Sequence, residues 1–374
     1  MGTAEKTGLA GEMTSRQRIQ AVMNGEEPDR FPVWLKMLGN DWRNFQPEPY
    51  RSMPNLELQQ RAGCDPMDSV GVNVQKKEPH VTVSVVDGEN KRTTHVRTPD
   101  GEMTGEERYD TSTSSWHPTK FMADTPENLR KLRWLYTDTR YTVEPESADA
   151  AMCRQAEFVE KDVFTMAGIG PGPLMNLIEH MSGPIQCIYL MNDEPELFIE
   201  ILELMHQDRM RHLKSLLPHI QADTFWLTEN TSTTLISPQM FEKHCISHLR
   251  EYGNLILEHD IYPVHHMCGT LNALLEMIDT LPAAANEAYT TRPLGDVSLA
   301  EGRQRMPSKT LIGGTNATLW LEPMETIVET VRKDLAECAD RKKIFLTSAG
   351  VLSPLVSFEK AREVVSEFRR LSVA

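Results

Sequence analysis

The sequence predicts an α/β chain folded as a (β/α)8 TIM barrel, and three observations predict it. From about residue 160 onward, a short apolar run, a small or polar loop and a helical stretch recur in the same order; strands alternating with helices are the pattern of parallel βαβ units. The number of such runs comes near eight, which closes a barrel. No Gly-x-Gly-x-x-Gly follows a first strand and no phosphate-loop lysine pattern occurs, so an open nucleotide-binding sheet lacks its signature.

Taken in order, "TSRQRIQAVMNGEEPDRFPVWL" places Thr14 as the N-cap of a short amphipathic helix that Asn24-Gly25 and Pro28 end. "FPVWLKM" (31–37) reads as a buried first strand. Residues 71–110 alternate apolar and polar side chains around Asp87-Gly88 and Asp100-Gly101, the signals of an inserted β-hairpin region. The repeating units follow: "VFTMAGIG" before "PLMNLIEHM", "DTFWLTEN" before "SPQMFEKHCISHLREYGNLILEH", and "IYPVHHMCG" before "TLNALLEMIDTL". After them come "ANEAYT", then "KTLIGGTN" before "PMETIVETVRKDLAECA" and "KIFLTSAG" before "SFEKAREVVSEFRRL". "IQCIYL" (185–190) is read as a further strand, and one more is expected in the less regular middle. Residues 1–374 then form a single TIM-barrel domain, with the hairpin region 71–110 packed against it.

Composition narrows the function. A net charge of -15 repels nucleic acid and anionic membrane surfaces, which leaves small molecules and other proteins as partners. The polar N-terminus does not read as a signal peptide, and no run approaches the roughly 20 apolar residues of a membrane span; the expectation is a cytoplasmic protein. Cys64, Cys153, Cys187, Cys245, Cys268 and Cys338 are scattered through a long chain, so they are core residues or ligands and not a disulfide framework. The 20 methionines are spread through helices and strands and fill gaps in the core.

A barrel builds its active site at the C-terminal ends of its strands. Those ends carry Lys36 and Asn40, Gly168 and Gly170, Glu229 and Asn230, His266 and Cys268, Tyr289, Asn316, and Ser348 with Gly350. His266 and Cys268 lie two residues apart on an extended chain and share a face, whereas His265 points to the other. Imidazole and thiolate both ligate zinc, and the pair can hold one side of a tetrahedral ion; the competing reading is a buried cysteine beside a hydrogen-bonded histidine.

"SRQRIQAVMNGEEPDRFPVW", "SPQMFEKHCISHLREYGNLILEHDIYPVHHMCG" and "KTLIGGTNATLWLEP" resemble the uroporphyrinogen decarboxylase superfamily, and within it the corrinoid-dependent zinc methyltransferases. The resemblance runs from about residue 14 to 371. It implies a TIM barrel whose Zn2+ activates either a thiol that accepts a methyl group or a small molecule that donates one. The methyl is carried on a cobalamin (corrinoid) bound to a partner protein, and the likeness also implies a homodimer.

Two departures shape the expectation. Uroporphyrinogen decarboxylases carry arginines just after the first strand for their substrate's carboxylates; "PVWLKMLGNDWRNF" has Met37 and Asp41 near those positions, which argues against porphyrinogen decarboxylation. Thiol-methylating members place a third zinc ligand, a cysteine, near the end of the last strand, where "TSAGVLSP" has Val351. Glu229, one strand before the His-x-Cys pair, is the preferred substitute, with a catalytic acid/base or substrate-binding role as its rival. Cys338 lies inside a helix. Cys245, His244 and His248 lie on a helix outside the barrel and are read as surface residues.

A His266/Cys268/Glu229 site carries less negative charge than one with two thiolates and keeps more Lewis acidity, favouring activation of a methyl donor of the methoxylated ether type. The alternatives are a methylcorrinoid:thiol methyltransferase, a metal-free decarboxylase-like lyase and a non-catalytic binding module. Tyr289 is a candidate proton donor to the leaving oxygen. Asn230, Asn316, Lys36, Asn40, Trp42, Gly170 and Ser348 are candidate substrate contacts. Asn316 has a helix cap as its rival role, Gly170 a tight turn and Trp42 the core.

Overall fold

The computed structural model describes residues 12–37, 40–112 and 115–373, with the backbone alone at 40 and 41. Eight strands form one sheet: β1 (Val33–Lys36), β2 (Met67–Ser69), β3 (Phe164–Ile169), β4 (Thr224–Thr228), β5 (Tyr262–His266), β6 (Ala285–Thr290), β7 (Thr310–Thr315) and β8 (Ile344–Val351). Their order is β1-β8-β7-β6-β5-β4-β3-β2 and every pairing is parallel, as in a (β/α)8 barrel.

Asp65 closes the seam between β1 and β2. Its N–H donates to Val33 O at 2.7 Å, and its side chain accepts from Val33 N at 2.9 Å. Arg30 and the buried Arg18 pair with the same carboxylate, so a fully buried charge is held between two guanidinium groups, the condition under which such a charge is tolerated.

Side chains of period two sort into two cores. Trp34, Phe164, Val264, Ala285, Ile312 and Phe345 fill the barrel interior, while Val33, Leu35, Phe225 and Leu227 face the surrounding helices. The helix Ser15–Asn24 stoppers the barrel's N-terminal end. Thr14 and Gln17 form a capping box at its start, Gly25 ends it in the left-handed region at φ 76°, and Ile19, Val22 and Met23 pack into the interior cluster. Arg16 fixes it by a bidentate pair to Asp223, both contacts at 2.6 Å. That end is plugged, opposite the mouth formed by the strands' C-terminal ends.

Between β2 and β3 the chain forms an antiparallel sheet of Thr82–Asp87, Lys91–Thr98, Gly101–Asp110 and Ser115–Lys120, and a pair Val74–Lys77 with Arg140–Val143. The inserted strands therefore run on past residue 110. One expectation fails: "IQCIYL" lies in the helix Pro184–Asp193. Proline is favoured at a first helical position, and Cys187 and Leu190 are buried, whereas Ile185 and Tyr189 face outward. The remaining barrel strand is Met67–Ser69, between the first strand and Phe164–Ile169, where no strand is read from the sequence. Among the described residues, no helix is long and apolar enough to cross a membrane.

Candidate functional site

Register brings the central residues together. His266 on β5 pairs with Glu287 on β6, and both side chains point inward with the parity of Val264 and Ala285. The His266 Nδ1 lies against Glu287 Oε2, and Lys36 Nζ, from the end of β1, lies against Glu287 Oε1. Lys36 also sits 5.9 Å over the Trp226 ring, which meets Trp34 edge-on at 6.0 Å and forms the site's apolar floor.

The electrostatics follow from this row. Burial favours the neutral form of Glu287, but Lys36 and His266 hold its carboxyl below the usual range. Burial also disfavours the charged form of His266, yet its contacts with Cys268 and Glu287 more than offset this and raise its pKa to about 9. His265 points the other way, fully buried, and burial pushes it down to about 3.

Asn230 links this row to a second carboxylate. Its backbone is left-handed at φ 50° and its N–H donates to His266 O at 2.9 Å. The Cys268 Sγ–H donates to Asn230 Oδ1 at 3.8 Å, and Asn230 Nδ2 donates to Glu179 Oε2 at 3.0 Å. Glu179 sits on a π-helical turn, Leu177–Met181, a local widening found at functional sites. Burial raises its pKa, opposed by the Asn230 bond and the nearby His266.

Beside Glu179 a cleft of about 570 Å³ opens between the inserted sheet and the π-helical turn, walled by Trp116, Phe121, Met122, Ile178, Met181 and Leu235. Its size suits a small ligand.

The donor chemistry fits one edge of a zinc site. Metal-binding histidines commonly give one ring nitrogen to a carboxylate and the other to the ion; with Nδ1 of His266 on Glu287, Nε2 is the nitrogen left to share an ion with the Cys268 thiol. Among the described residues no three His, Cys, Asp or Glu side chains converge at ligand distance.

Several expected residues lie elsewhere. Glu229 follows the outward parity of Phe225 and Leu227 and is fully buried outside the barrel wall, where it accepts a hydrogen bond from Gly172 N; it does not join His266 and Cys268. The Tyr289 hydroxyl donates to Ser298 O at 2.9 Å behind the barrel, and burial raises its pKa, so it does not reach a leaving group at the mouth. Asn316 spends its side chain on Arg292 O, Thr318 and Leu319 N and serves as a cap. Trp42 is buried with its indole N–H on Val356 O at 2.8 Å. The Ser348 hydroxyl bonds Gly350 O and Lys36 N. Gly170 faces open space, and the Asn40 and Asp41 side chains lie outside the described residues. Val351 is exposed at the rim, and Cys338 and Cys245 are buried away from it. His244 is not a surface residue: it is buried and meets Phe198 at 6.2 Å, while His248 is half-buried and stacks on His206 at 4.2 Å.

With this geometry in place, a comparison of sequence decides the family: the model described as "Uroporphyrinogen decarboxylase (URO-D)" matches residues 145–371. The chain belongs to the uroporphyrinogen decarboxylase family. Among solved structures it is similar to a methyltransferase from Methanosarcina mazei, at 15% identity and TM-score 0.60, over 96% of this chain and 98% of that one. A weaker likeness is to a D-psicose 3-epimerase crystallised with D-fructose, at 9% identity and TM-score 0.35, over 60% of this chain and 84% of that one. No curated protein matches in sequence. Within this family's barrel, Glu287 and Glu179 are the site residues that motif reading missed: Glu287 lies in "ANEAYT" and only strand register brings it to His266.

Proposed function

We propose that this member of the uroporphyrinogen decarboxylase family is a methyltransferase of a corrinoid-dependent system, moving a methyl group from a methylated small molecule, with methoxylated ethers favoured, to a cobalamin-binding partner protein. The observation that carries the reading is the His266–Cys268 pair at the barrel mouth, with Glu287 behind the imidazole and, beyond Asn230, a cleft that Glu179 lines. The barrel shared with the M. mazei methyltransferase is consistent with it.

A zinc ion held by His266 Nε2 and Cys268 Sγ would draw electron density from the donor's heteroatom and improve it as a leaving group for attack by cobalt(I). The chain's own residues supply the rest. Glu287 fixes the tautomer and the tilt of His266. Lys36 neutralises Glu287, so the carboxylate is not a lone buried charge. The cleft walls hold the donor's carbon body and keep water away. A single thiolate leaves more Lewis acidity than two, which favours activating a donor over activating a thiol acceptor.

The test is to incubate the protein with free cob(I)alamin and a panel of methyl ethers and follow methylcobalamin. Transfer by wild type, reduced at least about 100-fold in His266→Ala and Cys268→Ala, is expected on the scale of losing an essential electrophile. Consumption of methylcobalamin with a thiol, and none of the ethers, would instead assign the acceptor-side reaction. A metal-free lyase is the second reading, favoured by the ion-paired row Lys36–Glu287–His266; it predicts a purified protein without zinc.

A further inference from the structure

The pair His266 and Cys268 gives two donors, whereas protein sites for zinc use three or four. The residues expected to complete it do not reach: Glu229 is turned outward onto Gly172 N, and Val351 has no donor atom. Two other carboxylates stand near the pair: Glu287 is committed to the His266 Nδ1 and Lys36, which leaves Glu179. Glu179 has one oxygen, Oε2, on Asn230 Nδ2 at 3.0 Å, and the other, Oε1, is buried with no hydrogen-bond partner. A buried carboxylate oxygen without a partner is costly, and an ion at that point would relieve the cost.

Position points to what that group is. The same Asn230 side chain that holds Glu179 on its nitrogen faces the Cys268 sulfur with its oxygen, at 3.8 Å, so one amide spans the gap between the carboxylate and the thiol. The His266 ring is near enough to Glu179 for their charges to interact. Glu179 lies within the π-helical turn Leu177–Met181, where the backbone is locally widened, and its contact with Asn230 sets it beside the pair. We infer that Glu179 is the third protein ligand of the metal centre, its carboxylate swinging off Asn230 onto an ion already held by His266 and Cys268.

Charge supports the assignment. A dication facing one thiolate and one carboxylate is neutralised, and the Cys268 proton leaves to solvent as the metal binds. Asn230 then becomes an outer residue that steers Glu179, and the position facing the cleft stays open for a ligand. The inference rests on the proposed metal-dependent function.

The experiment measures zinc affinity directly, by competition with a chromophoric chelator, on wild type, Glu179→Gln, Glu179→His, Glu287→Gln, Glu229→Gln and Cys268→Ala, with a thermal melt of each to show that it folds. Glu179→Gln keeps the side chain's size and its bond to Asn230. It is expected to weaken zinc by more than about 100-fold, beyond the roughly 10–100-fold that outer-shell partners cost, which is the range expected for Glu287→Gln. Glu179→His should recover most of the affinity, and Glu229→Gln should leave it unchanged. Cobalt(II) in place of zinc should keep its thiolate charge-transfer band in Glu179→Gln and change its visible ligand-field bands. If Glu179→Gln binds zinc as wild type does while Cys268→Ala does not, the inference fails and the reading of the site survives. If wild type binds no zinc, both fail.

Discussion

Glu229 is a fully buried carboxylate that accepts a hydrogen bond from Gly172 N, and burial, opposed by that bond and by Arg209, raises its pKa to about 7. Unfolded, it titrates near 4.5, so between those values the native state keeps a proton that the unfolded state has lost. Stability from this residue therefore falls as pH rises from about 4.5 to about 7, and above that the full cost, about 3 kcal/mol, is present. Glu229→Gln should flatten this part of the pH profile and stabilise the protein at pH 8, as read by urea melts at pH 5 and pH 8; an unchanged profile would show that the carboxylate is solvated. The period-two rule that placed His266 and Cys268 on one face also places Glu229 on the outer face with Phe225 and Leu227, and applying it along β4 makes that visible from sequence. Glu287 and Glu179 were not legible in the same way. The first needs the register between two strands, and the second depends on a π-helical turn that has no sequence period of its own.

Elements show the same division. Strongly patterned pieces were readable: the capped helix Ser15–Asn24 and seven of the eight strands carry apolar runs bounded by turn residues. Met67–Ser69 is three residues with one aspartate, too short to show a pattern, and Asp65 next to it supplies the junction by its side chain. Asp65→Asn removes the charge that Arg18 and Arg30 share and should cost about 3–5 kcal/mol, measured by chemical denaturation; a loss below about 1 kcal/mol would mean that backbone pairing alone closes the barrel. Gly183, at φ 76° before the helix Pro184–Asp193, leaves space that the Phe121 ring fills. Gly183→Ala should cost at least about 1–2 kcal/mol, because a left-handed backbone disfavours a Cβ and the new atom meets Phe121.

At the scale of the whole molecule, the plugged N-terminal end places the site at the opposite mouth, and a cleft lined by Glu179 opens between the inserted sheet and the π-helical turn. Leu235→Trp narrows that cleft without touching His266 or Cys268. It should raise KM for a methyl donor by about 10-fold or more, equivalent to about 1.4 kcal/mol of lost binding, with zinc content unchanged; equal KM values would place the donor elsewhere. The central claim is that His266 and Cys268 hold a metal ion at the mouth. Elemental analysis of protein purified without chelator tests it most directly: one zinc per chain in wild type and a clear loss in Cys268→Ala is the predicted result, and a wild type without metal, or equal zinc in both proteins, would contradict it.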